Sequence, residues 1–107
     1  MTSQTTADPT AGPAKKATAL FSLGQMVATP GALEALEASD QAPRTFLCRH
    51  IQGDWGEVCP EDGRSNDRAL RSGGRLFSAY RTTLGVRLWV ITEADRFSTC
   101  ILLPEEY

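Results

Sequence analysis

Apolar positions recur along this chain with two periods, and the change falls near residue 75. Upstream the spacing is helical. Thr29 offers an N-cap hydroxyl, Pro30 suits the first helical position, and Leu33 and Leu36 follow, which predicts a short helix over residues 30–38. After the turn Ser39-Asp40-Gln41-Ala42, Pro43 opens a second helix with Phe46, Leu47 and Ile51 on one stripe, ended by Gly53 in a left-handed cap. A third helix is predicted over residues 60–72, with Glu61 and Asp62 in its first turn, Arg68 and Arg71 near its end, and Gly73-Gly74 stopping it. Downstream the period shortens. Residues 75–82 alternate loosely, 86–92 are nearly all apolar and suit a central strand, and 98–103 form a third. Thr83-Leu84-Gly85 makes a tight hairpin, and residues 20–27 read as a short strand or extended entry. The expected fold class is α+β: N-terminal helices packed on one face of a three- to four-stranded antiparallel meander.

The length of 107 residues sets one domain. Residues 1–17 contain no aliphatic run and read as a disordered tail, leaving residues 18–107 for the fold. No apolar stretch after Lys15-Lys16 is long enough for a secretory leader, and none approaches a membrane span. Cys48, Cys59 and Cys100 are odd in number and lack CxxC spacing, which points to the cytoplasm; Cys48 and Cys100 sit in apolar patterns and read as small buried hydrophobes. A zinc site from Cys48, His50 and Cys59 lacks a fourth ligand at a recognisable spacing, so neither metal nor cofactor is expected. Setting aside Asp8, Lys15 and Lys16 leaves nine arginines and twelve acidic residues, a net of −3. A non-specific DNA-binding domain carries the opposite balance.

The chemistry concentrates in Arg49-His50-Ile51-Gln52-Gly53-Asp54-Trp55-Gly56, which holds the single histidine and one of two tryptophans. A helix C-terminus favours a protonated imidazole, and His50 there has the range of a general acid or base; the alternative is a helix-end histidine bonded to backbone. Asp54 is suited to an Asx-type turn and Trp55 to plugging the core edge with its indole N–H satisfied; alternatively Asp54 orients His50 and Trp55 offers a face to a ligand. Arg64, Arg68 and Arg71 share a helix face, continued by Arg75, which reads as a solvated stripe or a phosphate-holding one. Asn66 is a poor helix former and is expected to bond something. Tyr80 and Arg81 end the first meander strand, and Arg87 and Trp89 share a face of the second. Together with Glu93 that face is either the solvent side of a half-covered sheet or a ligand surface. Tyr107 is expected to dock on the core.

The strings Leu23-Gly24-Gln25, Ala28-Thr29-Pro30-Gly31-Ala32-Leu33-Glu34-Ala35-Leu36, Arg49-His50-x-x-Gly53-Asp54-Trp55-Gly56, Ser78-Ala79-Tyr80, Trp89-Val90-Ile91-Thr92-Glu93-Ala94-Asp95-Arg96 and Leu102-Leu103-Pro104-Glu105-Glu106-Tyr107 resemble a family of small plasmid-related proteins of bacterial plasmids, integrative elements and prophages. The resemblance spans residues 21–107. It implies a mobile-element setting and no particular activity. Phe97 and Cys100 stand where small polar residues are expected, which weakens a catalytic role for the last strand. Two functions follow as expectations. One is an accessory protein that binds a host or element-encoded protein, or a nucleoprotein, for plasmid maintenance or counter-defence, as a monomer or homodimer. Its surface would comprise Arg49, His50, Asp54, Trp55, Tyr80, Arg87, Trp89, Glu93, Asp95 and Arg96. The other is a metal-independent ribonuclease of barnase, EndoU or RelE-like layout, with His50 as acid–base, Arg81 or Arg87 on phosphate, and Tyr80, Glu93 or Thr99 assisting. That enzyme needs His50 to meet Glu93, Arg81 or Arg87 in one cleft. A functional rather than structural His50 would tolerate replacement by alanine with little change in melting temperature.

Overall fold

The computed structural model describes residues 19–107; the tail expected over residues 1–17 lies outside the described residues. The elements run β1 (Gln25–Ala28), α1 (Pro30–Ala38), α2 (Pro43–Ile51), α3 (Pro60–Ser72), β2 (Leu76–Arg81), β3 (Arg87–Thr92), β4 (Ser98–Leu102) and a 3-10 turn at Pro104–Glu106. Each helix begins on a proline at its first turn, where the missing N–H costs nothing. The Thr29 hydroxyl accepts from Ala32 N at 3.2 Å, and Gly73 closes α3 at φ 89°, a conformation that suits glycine.

The fold is α+β, but the sheet is mixed rather than a pure meander. β2, β3 and β4 are antiparallel as expected, while β1 pairs parallel to β4, giving the order β1-β4-β3-β2. The chain leaves β1, builds three helices, enters the sheet at the far edge and returns strand by strand to β1. Register assigns the faces. Met26, Thr99, Thr92 and Leu76 lie in one inward row, Ala28, Ile101, Val90 and Ser78 in the next, and Leu88 and Tyr80 in the last. With Leu36, Phe46 and Leu47 from the helices, Ile101, Val90, Leu88 and Tyr80 make the main core, while Leu76 packs in a second cluster with Trp55 and Ala69. Among the described residues no α-helix packs on the opposite rows: Phe77, Ile91, Cys100 and Val27; Ala79, Trp89 and Leu102; Arg81 and Arg87.

The two sheet edges differ. At β2, Ala79 donates to Trp55 O at 3.0 Å and accepts from Glu57 N at 2.6 Å. The buried Asn66 amide then takes the place of a further strand residue, donating to Phe77 O at 2.7 Å and accepting from Phe77 N at 3.0 Å. That is the bond its position in α3 calls for. At β1 no strand covers the outer edge among the described residues. Behind the sheet end, the Glu106 carboxylate accepts from the Thr29 hydroxyl, Gly31 N (3.1 Å) and Leu103 N (2.9 Å), fastening the C-terminal turn to the start of α1.

The cysteine expectation needs correction. Helix α2 turns Phe46, Leu47 and His50 inward, so Cys48 lies on its outer side and is exposed; Cys59 is exposed too, and Cys100 is half-buried on the helix-free face. No described helix is long and apolar enough to cross a membrane.

Candidate functional site

His50 and the Arg87–Trp89 pair fall on opposite sides of the sheet. His50 projects from the last turn of α2 into the core and has no exposed surface. Phe21 and Trp55 meet its ring at near-perpendicular angles, 5.2 and 5.7 Å between centroids. Both ring nitrogens are engaged, Nδ1 with Ser78 Oγ at 2.6 Å and Nε2 with Thr92 Oγ1 at 2.9 Å. Thr92 Oγ1 lies 2.7 Å from Thr99 Oγ1, which donates to Leu23 O at 2.7 Å.

Counting protons orients this chain, because each hydroxyl has one to give. Thr99 gives its proton to the Leu23 carbonyl and must therefore accept from Thr92. Thr92 then accepts from His50, which fixes the proton on Nε2, and Ser78 donates to Nδ1. A second ring proton would turn the Ser78 hydroxyl away from its bond. Burial pushes the imidazole down to a pKa of about 4, with the Arg96 guanidinium adding to the effect. The protonated helix-end histidine expected from sequence is thus replaced by a neutral, tautomer-locked one. It meets neither Glu93 nor Arg81 nor Arg87: Glu93 pairs with Arg75 at 3.4 Å, Arg81 pairs with Glu57 at 2.9 Å, and Arg87 is exposed on the helix-free side.

The neighbouring residues form a clasp. Arg49 donates from Nε to Asp54 at 2.6 Å and lies 4.5 Å over the Tyr80 ring, and Tyr80 donates to Asp54 O at 2.6 Å. The guanidinium holds the Asp54 carboxyl below its ordinary range, and burial lifts the Tyr80 phenol to about 12. Asp54 also accepts from Gly56 N at 3.1 Å, the Asx turn expected; its partner is Arg49, not His50. Trp55 is buried, with its indole donating to Asp67 at 3.2 Å. In the loop before β4, Arg96 donates to the carbonyls of Gly74 (2.7 Å), Ala69 (3.0 Å) and Glu93 (3.1 Å), closing the end of α3, and Asp95 caps Phe97 N at 2.9 Å. Of the ten surface residues expected, His50, Trp55 and Tyr80 are buried, Asp95 and Arg96 are bonded to local backbone, and Arg49 and Asp54 are paired with each other at the surface.

Arg87, Trp89 and Glu93 lie on or beside the helix-free face. Trp89 stands at its centre, edge-to-face with Phe77 (5.1 Å) and with Tyr107 (5.6 Å). These three rings, Ile91 and Arg75 line a hollow of about 220 Å³. The Tyr107 hydroxyl accepts from Arg75 at 2.8 Å, and Arg75 also reaches Glu93, so Glu93 joins the rim. Tyr107 docks on this face and not on the core, and stays 70% exposed. Arg81 and Arg87 sit directly opposite each other in the register, like charges side by side, an arrangement that costs stability unless an anion shares them. Arg81 has Glu57; Arg87 has no ion pair among the described residues.

A larger hollow, about 530 Å³, opens beside β1 between α1 and α2; its lining is aliphatic apart from Arg44, and none of the chemistry-bearing residues faces it. Among the described residues no three histidine, cysteine or acidic side chains come together to hold a metal. Phe77 and Tyr107 joining Trp89, and Ser78 and Thr92 joining His50, were not foreseen. The signal for the second group lay in the strand phase, which put three hydroxyl residues at inward positions of neighbouring strands. Compared with protein-family models, curated proteins and solved structures, the chain matches none.

Proposed function

We propose that this chain is a non-enzymatic accessory protein of a bacterial mobile element that binds a protein partner through the helix-free sheet face. The observation that carries the reading is the Phe77–Trp89–Tyr107 cluster framed by Arg75, Arg81 and Arg87. Tryptophan, tyrosine and arginine dominate the energetics of protein interfaces. A partner carboxylate between Arg81 and Arg87 would relieve their mutual repulsion. The net charge of −3 over residues 18–107 favours a protein over a nucleic-acid backbone. The mobile-element setting rests on the sequence resemblance alone. The ribonuclease reading has no geometric support, since its acid–base residue lies in the core and its phosphate residues on the far face.

The test is affinity capture from the host with tagged wild type, Trp89→Ala and Arg87→Glu, with nuclease treatment and circular dichroism to verify folding. A protein captured by wild type in a nuclease-resistant way should fall about tenfold or more with either variant, the usual scale for a hot-spot residue. Undiminished capture by both variants, or co-purifying shortened RNA in place of protein, would refute the reading.

A further inference from the structure

We infer that the open edge of β1 is a homodimer interface, joining two copies into one continuous eight-stranded sheet. The inference is independent of the binding face proposed above. Gln25 N donates to Phe97 O at 2.8 Å and Thr29 N to Ile101 O at 3.0 Å. Odd-numbered residues of this segment therefore bond toward β4, and Met26 and Ala28 turn both backbone N–H and C=O outward. An unpaired strand edge is a template for another strand, and proteins ordinarily guard it with charge, proline, a bulge or a cover. This molecule covers its other edge with residues 55–57 and the Asn66 amide. At β1, apart from the strand's shortness, none of these is present among the described residues: the strand reads Gln-Met-Val-Ala. Beside it Met26, Val27 and Leu33 are 58%, 44% and 49% exposed, around the 530 Å³ apolar hollow.

The occupant that fits this edge is a second β1. Place a two-fold axis at Val27. Met26 of one copy then stands opposite Ala28 of the other in a hydrogen-bonded pair, and Ala28 opposite Met26 in the symmetric one. All the outward donors and acceptors of the strand are matched. Val27 meets its own copy on the helix-free side. Each Met26 side chain, on the helix side, reaches across toward the partner's hollow, a space that an unbranched thioether fills readily. The strand itself carries no charge to set against its copy. Both aromatic faces end on the same side of the joined sheet.

The test is sedimentation equilibrium on the full chain, with Val27→Lys and with Trp89→Ala as a control outside the edge. Wild type should associate toward twice the 11.6 kDa monomer mass. Val27→Lys places like charges across the axis and should raise the dimer dissociation constant about tenfold or more, with an unchanged circular dichroism spectrum. Trp89→Ala should leave the constant unchanged. A wild type that is monomeric at 200 µM, or a dimer indifferent to Val27→Lys, would overturn the inference.

Discussion

Replacing His50 by alanine is expected to lower the unfolding free energy by about 3–5 kcal/mol, and the melting temperature by roughly 15 °C or more. Two costs combine. The ring fills fully buried space between Phe21, Trp55 and the inward face of the sheet, so its removal leaves a cavity. It is also the shared partner of Ser78 and Thr92, whose hydroxyls would be left buried with a bond missing. Arg49→Ala, one residue earlier, is the internal comparison. Its pair with Asp54 is exposed on both sides and is worth about 0–1 kcal/mol. Urea denaturation of both variants checks the contrast. A His50→Ala protein as stable as Arg49→Ala would mean that the ring is not the pillar the geometry makes it. Such a loss is the outcome expected of a structural His50; a functional one would leave melting nearly unchanged.

The second large effect is on pH. The His50 pKa lies near 4 in the folded chain against an ordinary 6.5. Between those values the unfolded chain binds a proton that the folded chain refuses, so stability rises with pH. The contribution is complete above pH 6.5 and is lost as pH falls toward 4, about 3 kcal/mol over the window. The signal is clean because the chain has a single histidine. Asp54 and Glu106, held below their ordinary ranges by Arg49 and by the Thr29 hydroxyl, add a loss only at lower pH. Unfolding free energies from denaturation at pH 7.5, 5.5 and 4.5 should fall steadily in the wild type and stay nearly flat in His50→Ala. A flat wild-type profile would contradict the neutral buried imidazole.

What the sequence made legible was local. Three prolines at helix starts, the Thr29 cap and the stop at Gly73 place α1, α2 and α3 almost to the residue, because capping chemistry acts within one turn. The meander was legible for the same reason, its hairpin being short. The parallel pairing of β1 with β4 was not: it joins Gln25 to Ser98, and no local signal sets a register across that separation. The histidine failed similarly. Its partners are 28 and 42 residues away, so the structural reading of a helix-end histidine supplied only nearby backbone carbonyls as partners. Cys48 was misjudged by helix phase, where a shift of one position exchanges the core for solvent. The helix-free face was half visible. Arg87 and Trp89 share it by alternation, whereas Phe77 and Tyr107 reach it only through strand pairing and the C-terminal turn.

The central claim is that the helix-free face is where this protein meets its partner. Hydroxyl-radical footprinting of the full chain, free and bound to the protein captured from its host, tests it side chain by side chain. The expected result is protection of Trp89, Phe77 and Tyr107 on binding, with the buried Trp55 unreactive in both states. Unchanged oxidation of Trp89 and Tyr107, with protection instead confined to the helix side of the sheet, would contradict it.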